Sequence, residues 1–426
     1  MSEYGFDTLA VHAGYDPADS DTKSMAVPIY QTAAYKFEST EYARSLFELS
    51  ADGYTYTRLL NPTVEAFEKR IAAMDGGVGA VAAASGHASI IMTALNLCKQ
   101  GDEFVSSSAI YGGAVNLFGV TLANLGITVR WADPDDTESF RRAINDKTKF
   151  IFVESVGNPC DAIPDFGAIA AIAHEAGIPL IVDNTFATPA MFRAKDAGAD
   201  FVIYSATKYI CGNGTTMGGA TVDCGTFSFK GNPRFPQFNE PDKSYHDLVF
   251  CDEFGQMAFL SRLRALILRD VGAALSPFNA FMLCVGCETL SVRMQKHAEN
   301  VLAAAKFLEN HPKVAKVECP MLESNRYHAL QQKYMPKGIG GTFAFELKSG
   351  RDGGARFIDS LKLISNVANV GDCKSMVIHP ATTTHSQLTP EQLKAGGITE
   401  GTVRFSVGIE DINDIIADLS QALENA

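Results

Sequence analysis

The chain has 426 residues, 46% of them hydrophobic and 20% charged, with a formal net charge of −13. That is enough material for two or three domains around a large core. It argues against a nucleic-acid partner, because non-specific affinity for a phosphate backbone needs clustered Lys and Arg, and no basic run occurs. A local anion site remains open, since a helix N-terminus holds phosphate without bulk positive charge. The nine cysteines are scattered and odd in number. They read as reduced thiols of a cytoplasmic protein, not as a disulfide framework. Cys284 and Cys287 form one C-x-x-C with no second pair at zinc spacing, so buried helical thiols and no metal are expected. The N-terminal stretch lacks the basic and apolar regions of a signal peptide. No run of about 18 apolar residues offers a membrane span.

In chain order, residues 1–65 have no long periodic pattern and read as an extended arm. Asn61-Pro62 then opens a helix, with an N-capping side chain followed by a first-turn proline. Val64, Phe67, Ile71 and Met74 come next at helical spacing. To about residue 210, short apolar runs alternate with helical stretches: Ala80–Ala84, Phe104–Val105, Thr128–Trp131, Phe150–Val153, Leu180–Val182 and Phe201–Tyr204, with helices expected over Ala88–Leu97, Phe166–Ala176 and Pro189–Ala197. Such alternation predicts βαβ units and a mostly parallel sheet covered on both faces. Residues 211–275 look looser. A long helix is expected over Pro277–Leu308, then a strand at Gly341–Leu347 and helices near Ala355–Leu363 and Ile412–Leu423. The expected organisation is an arm (1–65), a large α/β domain (66–275) and a smaller C-terminal α+β domain (276–426).

Ligands of parallel α/β sheets bind beyond the carboxyl ends of the strands, so the residues just after each apolar run matter most. Glu154-Ser155-Val156-Gly157-Asn158-Pro159 succeeds Phe150–Val153, Asp183-Asn184-Thr185 succeeds Leu180–Val182, and Ser205-Ala206-Thr207-Lys208 succeeds Phe201–Tyr204. Alone, Asp183 could be a helix cap and Lys208 a solvated surface residue. Together they form the set that pyridoxal phosphate requires: an amine for an imine, and a carboxylate that keeps the pyridine nitrogen protonated so the ring can store electrons. Ser205 and Thr207 could hydrogen-bond the phosphate. Ser85-Gly86-His87, feeding the Ala88–Leu97 helix, offers a second anion site through free backbone N–H groups; an ordinary tight turn is the plain alternative. Tyr111, before Gly112-Gly113, could stack on a planar cofactor or be core. Gly212-Asn213-Gly214 lacks the strand–helix context of a nucleotide loop. His379 and His385 lack a third metal ligand and read as satisfied loop histidines. No G-x-S-x-G, H-E-x-x-H or Walker A pattern occurs.

On these residues the chain resembles the Cys/Met-metabolism family of fold-type-I pyridoxal-phosphate enzymes. The likeness runs from Thr8–Gly14 to Val403–Glu410, with Asp183-Asn184-Thr185, Ser205–Tyr209, Tyr56-Thr57-Arg58, and Ser375 before His379-Pro380-Ala381 as its most specific pieces. The resemblance implies that Lys208 is the Schiff-base lysine and proton shuttle. It implies that Asp183 pairs with the pyridine nitrogen, that Tyr111 stacks on the ring, and that Gly86, the His87 backbone, Ser205 and Thr207 bind phosphate. Thr185 belongs to the same cofactor site and Asn158 lies near the cofactor hydroxyl. Tyr56 and Arg58 reach the phosphate of a neighbouring subunit in a tetramer built as a dimer of dimers. Arg404 grips the substrate carboxylate, aided by Ser375.

Within the family, Phe235–Phe238, Pro241–His246, Asn116-Leu117-Phe118 and Asn369–Lys374 are similar to the O-acetylhomoserine sulfhydrylase branch. That branch implies γ-replacement on O-acetyl-L-homoserine by sulfide or a thiol. Methionine or cystathionine γ-lyase and cystathionine γ-synthase are the alternatives within the family, and a catalytically silent cofactor-binding scaffold is the alternative outside it. His87 stands where relatives often carry Met or Gln, and Met376 where Leu is usual.

Overall fold

A computed structural model describes residues 4–383 and 398–426; His385 lies outside the described residues. Seven strands form the larger sheet: β1 (Gly79–Ala83), β2 (Glu103–Ser107), β3 (Thr128–Ala132), β4 (Thr148–Glu154), β5 (Leu180–Asp183), β6 (Phe201–Tyr204) and β7 (Gly219–Asp223). Their order is β1-β7-β6-β5-β4-β2-β3. β2 to β6 pair in parallel. β4, β5 and β6 are buried along their whole length, as a sheet with helices on both faces demands. β7 lies in the stretch that looked looser, and it runs antiparallel between β1 and β6.

The first large helix spans Pro62–Asp75 and starts as expected. The Asn61 side chain accepts from the Thr63 N–H at 3.0 Å, and Gly76 ends the helix at φ +70°. The arm before it is not simply extended. It contains short helices at Phe6–His12 and Thr40–Phe47, and Ala10 of the first is buried in the core. The helix expected over Pro189–Ala197 is instead one α-turn, Thr188–Met191, and a 3₁₀ turn, Ala194–Ala197. The long helix expected over Pro277–Leu308 is two, Pro277–Glu288 and Leu290–Glu309, meeting at Thr289. The buried Arg293 guanidinium occupies that break. It donates to Thr289 Oγ1 (3.1 Å), the Gly286 carbonyl (2.6 Å) and, across the joint, the Tyr209 carbonyl (2.6 Å). The break therefore ties these helices to the turn that carries Lys208.

Five more strands form the second sheet: β8 (Val314–Glu318), β9 (Thr342–Leu347), β10 (Ser365–Asn366), β11 (Met376–Ile378) and β12 (Thr402–Ser406), in the order β10-β11-β12-β9-β8. Helices Gly350–Ser360 and Leu290–Glu309 pack on it, and Ile412–Glu424 packs against both helices. Two carboxylates fasten the two sheet units together. Asp135 is held by Arg326 (2.7 Å) and the Tyr327 hydroxyl (2.6 Å), and Asp165 by Lys333 (3.1 Å) and the Tyr334 hydroxyl.

Cys98, Cys211, Cys224, Cys251, Cys284, Cys287 and Cys319 are unpaired and buried. His379 is satisfied by Thr382 Oγ1 (3.0 Å) and the Glu400 carbonyl (2.9 Å). Among the described residues no helix is long and apolar enough to cross a membrane.

Candidate active site

The end of β1 runs into Ser85, whose hydroxyl accepts from the Ala88 N–H at 3.1 Å and caps the Gly86–Leu97 helix. A Cβ on Gly86 would lie 2.6 Å from both Cα and Cβ of Ser205, so only glycine lets the two turns approach. The Ser205 N–H donates to Thr185 Oγ1 (2.8 Å), and that hydroxyl donates to Asp183 Oδ1 (2.6 Å). The phosphate-type turn, the turn after β6 and the β5 carboxylate are thus linked in one chain. The Thr207 hydroxyl pairs with the N–H (3.1 Å) and the carbonyl (3.2 Å) of Gly218.

Asp183 closes β5 and faces Glu154 of β4 in the strand register. Burial pushes Asp183 up to about 6, against the two Thr185 hydrogen bonds that lower it. Burial, and then the Asp183 charge, push Glu154 well above the usual carboxylate range. Two carboxyls facing each other in this buried setting disfavour ionising both at once. Glu154 Oε1 also accepts from the Tyr111 N–H at 2.8 Å. It was legible only as the first residue after an apolar run; the parallel register gives it its neighbour.

The Tyr111 ring is 48% exposed, which leaves its face open rather than packed into the core. The His87 ring meets it edge-on, with centroids 6.0 Å apart and planes at 83°. Burial lowers the His87 pKa, and the Gly113 backbone acts in the opposite sense. The His87 side chain thus packs against the Tyr111 ring.

Lys208 lies in the turn after β6. Its amine donates to Asn369 Oδ1 at 2.5 Å. Burial, and then the positive charge of Arg404, bring its pKa down to about 8. Arg404 of β12 is 7% exposed. It donates to Asn158 Oδ1 (3.3 Å) and the Asn369 carbonyl (3.2 Å), both neutral acceptors. A buried guanidinium held by neutral partners retains donors and charge for an anionic ligand. Asn158 thus sits against Arg404. Ser375 is engaged elsewhere, since its hydroxyl donates to Glu410 Oε2 (3.0 Å) and accepts from the Gly408 N–H (2.9 Å). Tyr56 and Arg58 lie exposed on the arm, the guanidinium 5.5 Å from the ring centroid.

The residues present fit pyridoxal phosphate. A 12-residue helix presents its N-terminus at a cradle that a Cβ would fill. A lysine amine and a buried carboxylate close neighbouring strands of the same sheet. This sheet order with this crest defines a fold-type-I pyridoxal-phosphate enzyme of the α/β class.

The profile described as "Cys/Met metabolism PLP-dependent enzyme" matches residues 7–424, and the chain belongs to that family. It is 49% identical to a homocysteine synthase of Schizosaccharomyces pombe, over 99% of this chain and 98% of that one. It is 46% identical to an O-acetyl-L-homoserine sulfhydrylase of Leptospira meyeri, over 98% and 96% of the two chains. A crystal structure described as an O-acetylhomoserine (thiol)-lyase of Campylobacter jejuni superposes with a TM-score of 0.96 at 41% identity, covering 99% of this chain and 100% of that one. That structure carries pyridoxyl-lysine phosphate.

Proposed function

We propose that this enzyme replaces the acetate of O-acetyl-L-homoserine with sulfide or a thiol, giving L-homocysteine or methionine. The observation that carries the reading is the convergence on Asn369 of Lys208, from the turn after β6, and Arg404, from β12. An amine that can handle an α-proton stands next to a buried cation that can hold an α-carboxylate. The full-length likeness to homocysteine synthases supports the choice of branch.

Bound pyridoxal phosphate supplies an electron sink that stabilises negative charge at the substrate's α- and β-carbons. Lys208 is its covalent anchor, and Asp183, held by Thr185, balances its ring nitrogen. The free N–H groups of Gly86 and His87, with Ser205 and Thr207, hold its phosphate. Asn158 borders the cofactor and braces Arg404, and Tyr111 covers the ring. Arg404 binds the substrate carboxylate, while Ser375 shapes that pocket through Glu410 and the Gly408 backbone. Lys208 Nζ takes the proton from Cα and then moves one at Cβ, so that acetate departs from Cγ and sulfide adds there. A lysine pKa near 8 suits this shuttling near neutrality.

The arm (1–65) supplies Tyr56 and Arg58 to a neighbour's phosphate in a homotetramer, and residues 66–275 and 276–426 form the large and small domains. Exposed Met25, Tyr30 and Phe47 give the arm an apolar surface that suits a partner chain. The buried unpaired thiols suit a cytoplasmic setting.

Acetate release and homocysteine formation from O-acetyl-L-homoserine, measured with and without sulfide, test the activity. Sulfide-dependent homocysteine formation is expected. Acetate release at the same rate without sulfide, with a keto acid as product, would mark an eliminating enzyme instead.

A further inference from the structure

We infer that Asn369 is a positioning residue that receives the Lys208 amine whenever it is free, and that it links this amine to the carboxylate-binding arginine. The inference rests on the proposed roles of Lys208 and Arg404. Asn369 lies 161 residues from Lys208 in sequence, yet its side-chain oxygen accepts from Lys208 Nζ at 2.5 Å. Its own carbonyl accepts from Arg404 Nη2 at 3.2 Å. One residue thus holds the base through its side chain and the carboxylate binder through its backbone.

Local packing fixes this placement. The Asn369 N–H donates to the Val367 carbonyl (2.8 Å). Two residues on, Gly371 at φ +79° lies so close to Lys208 that a Cβ would come within 2.9 Å of Lys208 Cβ and the Tyr209 nitrogen. The Gly371 N–H donates to Ser406 Oγ (3.1 Å), two residues from Arg404 on β12. The loop therefore cannot drift from either partner without breaking contacts on both sides.

A neutral oxygen acceptor gives the freed lysine one defined position without trapping it as a strong ion pair. Among charged groups, Arg404 acts on the amine and disfavours its protonated form. The Asn369 acceptor works in the opposite sense, since a hydrogen bond to the charged form favours it. Removing it lowers the lysine pKa. Replacing it with a carboxylate raises that pKa and holds the amine more firmly.

The experiment compares Asn369→Ala and Asn369→Asp with wild type in two assays. In the cofactor-free protein, the rate of pyridoxal-phosphate uptake is followed by absorbance against pH, because only the neutral amine attacks the aldehyde. The midpoint should move to lower pH in Asn369→Ala and to higher pH in Asn369→Asp. In the loaded enzyme, Asn369→Ala should lose about ten-fold in kcat, as expected for one hydrogen bond to a charged group. KM for O-acetyl-L-homoserine should stay within about two-fold, because the backbone carbonyl at Arg404 is retained. Midpoints that coincide in all three proteins, or that move in the same direction in both variants, would overturn the inference. So would a kcat unchanged in Asn369→Ala. Borohydride labelling separates this failure from that of the underlying reading: pyridoxyl label on a residue other than Lys208 would refute the site itself.

Discussion

Replacing Arg404 with lysine tests the substrate site without removing its charge. Arg404 already spends two N–H groups on Asn158 Oδ1 (3.3 Å) and the Asn369 carbonyl (3.2 Å). A guanidinium has five donors in a planar fork, so enough remain to grip a carboxylate with two parallel hydrogen bonds. An ammonium has three donors on one atom and cannot serve two protein acceptors and both carboxylate oxygens at once. The loss is at least one charge-assisted hydrogen bond, roughly 1.5–3 kcal/mol. At about 1.4 kcal/mol per factor of ten, that weakens amino-acid binding roughly 10- to 150-fold. The assay is KM for O-acetyl-L-homoserine, together with a titration of the cofactor absorbance by a non-reacting amino acid such as glycine. Both should weaken by that factor, while the absorbance of the unliganded enzyme stays as in wild type. A KM within about two-fold of wild type refutes the assignment. Loss of the cofactor absorbance would show that Arg404 supports the cofactor instead.

Asp183→Asn removes the anion proposed to keep the ring nitrogen protonated, so kcat should fall by orders of magnitude with the fold retained by circular dichroism; wild-type kcat would contradict that role. Gly86→Ala places a Cβ 2.6 Å from Ser205 Cα; overpacking of this kind costs about 1–3 kcal/mol, and cofactor affinity in a fluorescence titration should drop by roughly ten-fold or more. If the arm completes a neighbour's site, Arg58→Ala should bind cofactor weakly, and mixing it with Lys208→Ala should restore activity under subunit exchange. No restoration would confine the site to one chain. Burial raises Asp75 to about 7, while its Oδ2 accepts from the Tyr204 hydroxyl at 2.7 Å. The folded state then binds a proton that the unfolded chain has released, so wild-type stability falls as pH rises from about 4 to about 7. Asp75→Asn removes that dependence, and its Tm relative to wild type should increase over the same window and level off above it.

The crest of the larger sheet was legible because β4, β5 and β6 are short, apolar and buried throughout, which isolates Glu154, Asp183 and Lys208 as the polar residues at their carboxyl ends. The Pro62–Asp75 helix was legible because its cap, first-turn proline and apolar spacing agree. β7 was not: five residues that begin on a glycine and follow another carry little pattern, and burial between β1 and β6 makes them a strand. The break at Thr289 was hidden because the apolar spacing continues through it; Arg293, reaching to Tyr209, makes the break. The roles of Glu154 and Asn369 depend on contacts between distant parts of the chain, which local periodicity does not encode. Ser375 was legible as part of the resemblance motif, but the contact of its hydroxyl with Glu410 joins residues far apart in sequence and was not.

The unpaired thiols bear on how such an enzyme survives its own co-substrate. Sulfide and thiols attack disulfides, and their oxidised forms exchange with accessible thiolates. Burial raises Cys98, Cys224, Cys251, Cys284, Cys287 and Cys319 above the ordinary thiol range, with Cys284 and Cys287 of one helix pushed up to about 12 and about 11. Such groups are neutral at working pH and present almost no nucleophile to a persulfide or polysulfide. At these six positions the enzyme offers a sulfur-rich medium neither a ready sulfur acceptor nor a cross-link to cut.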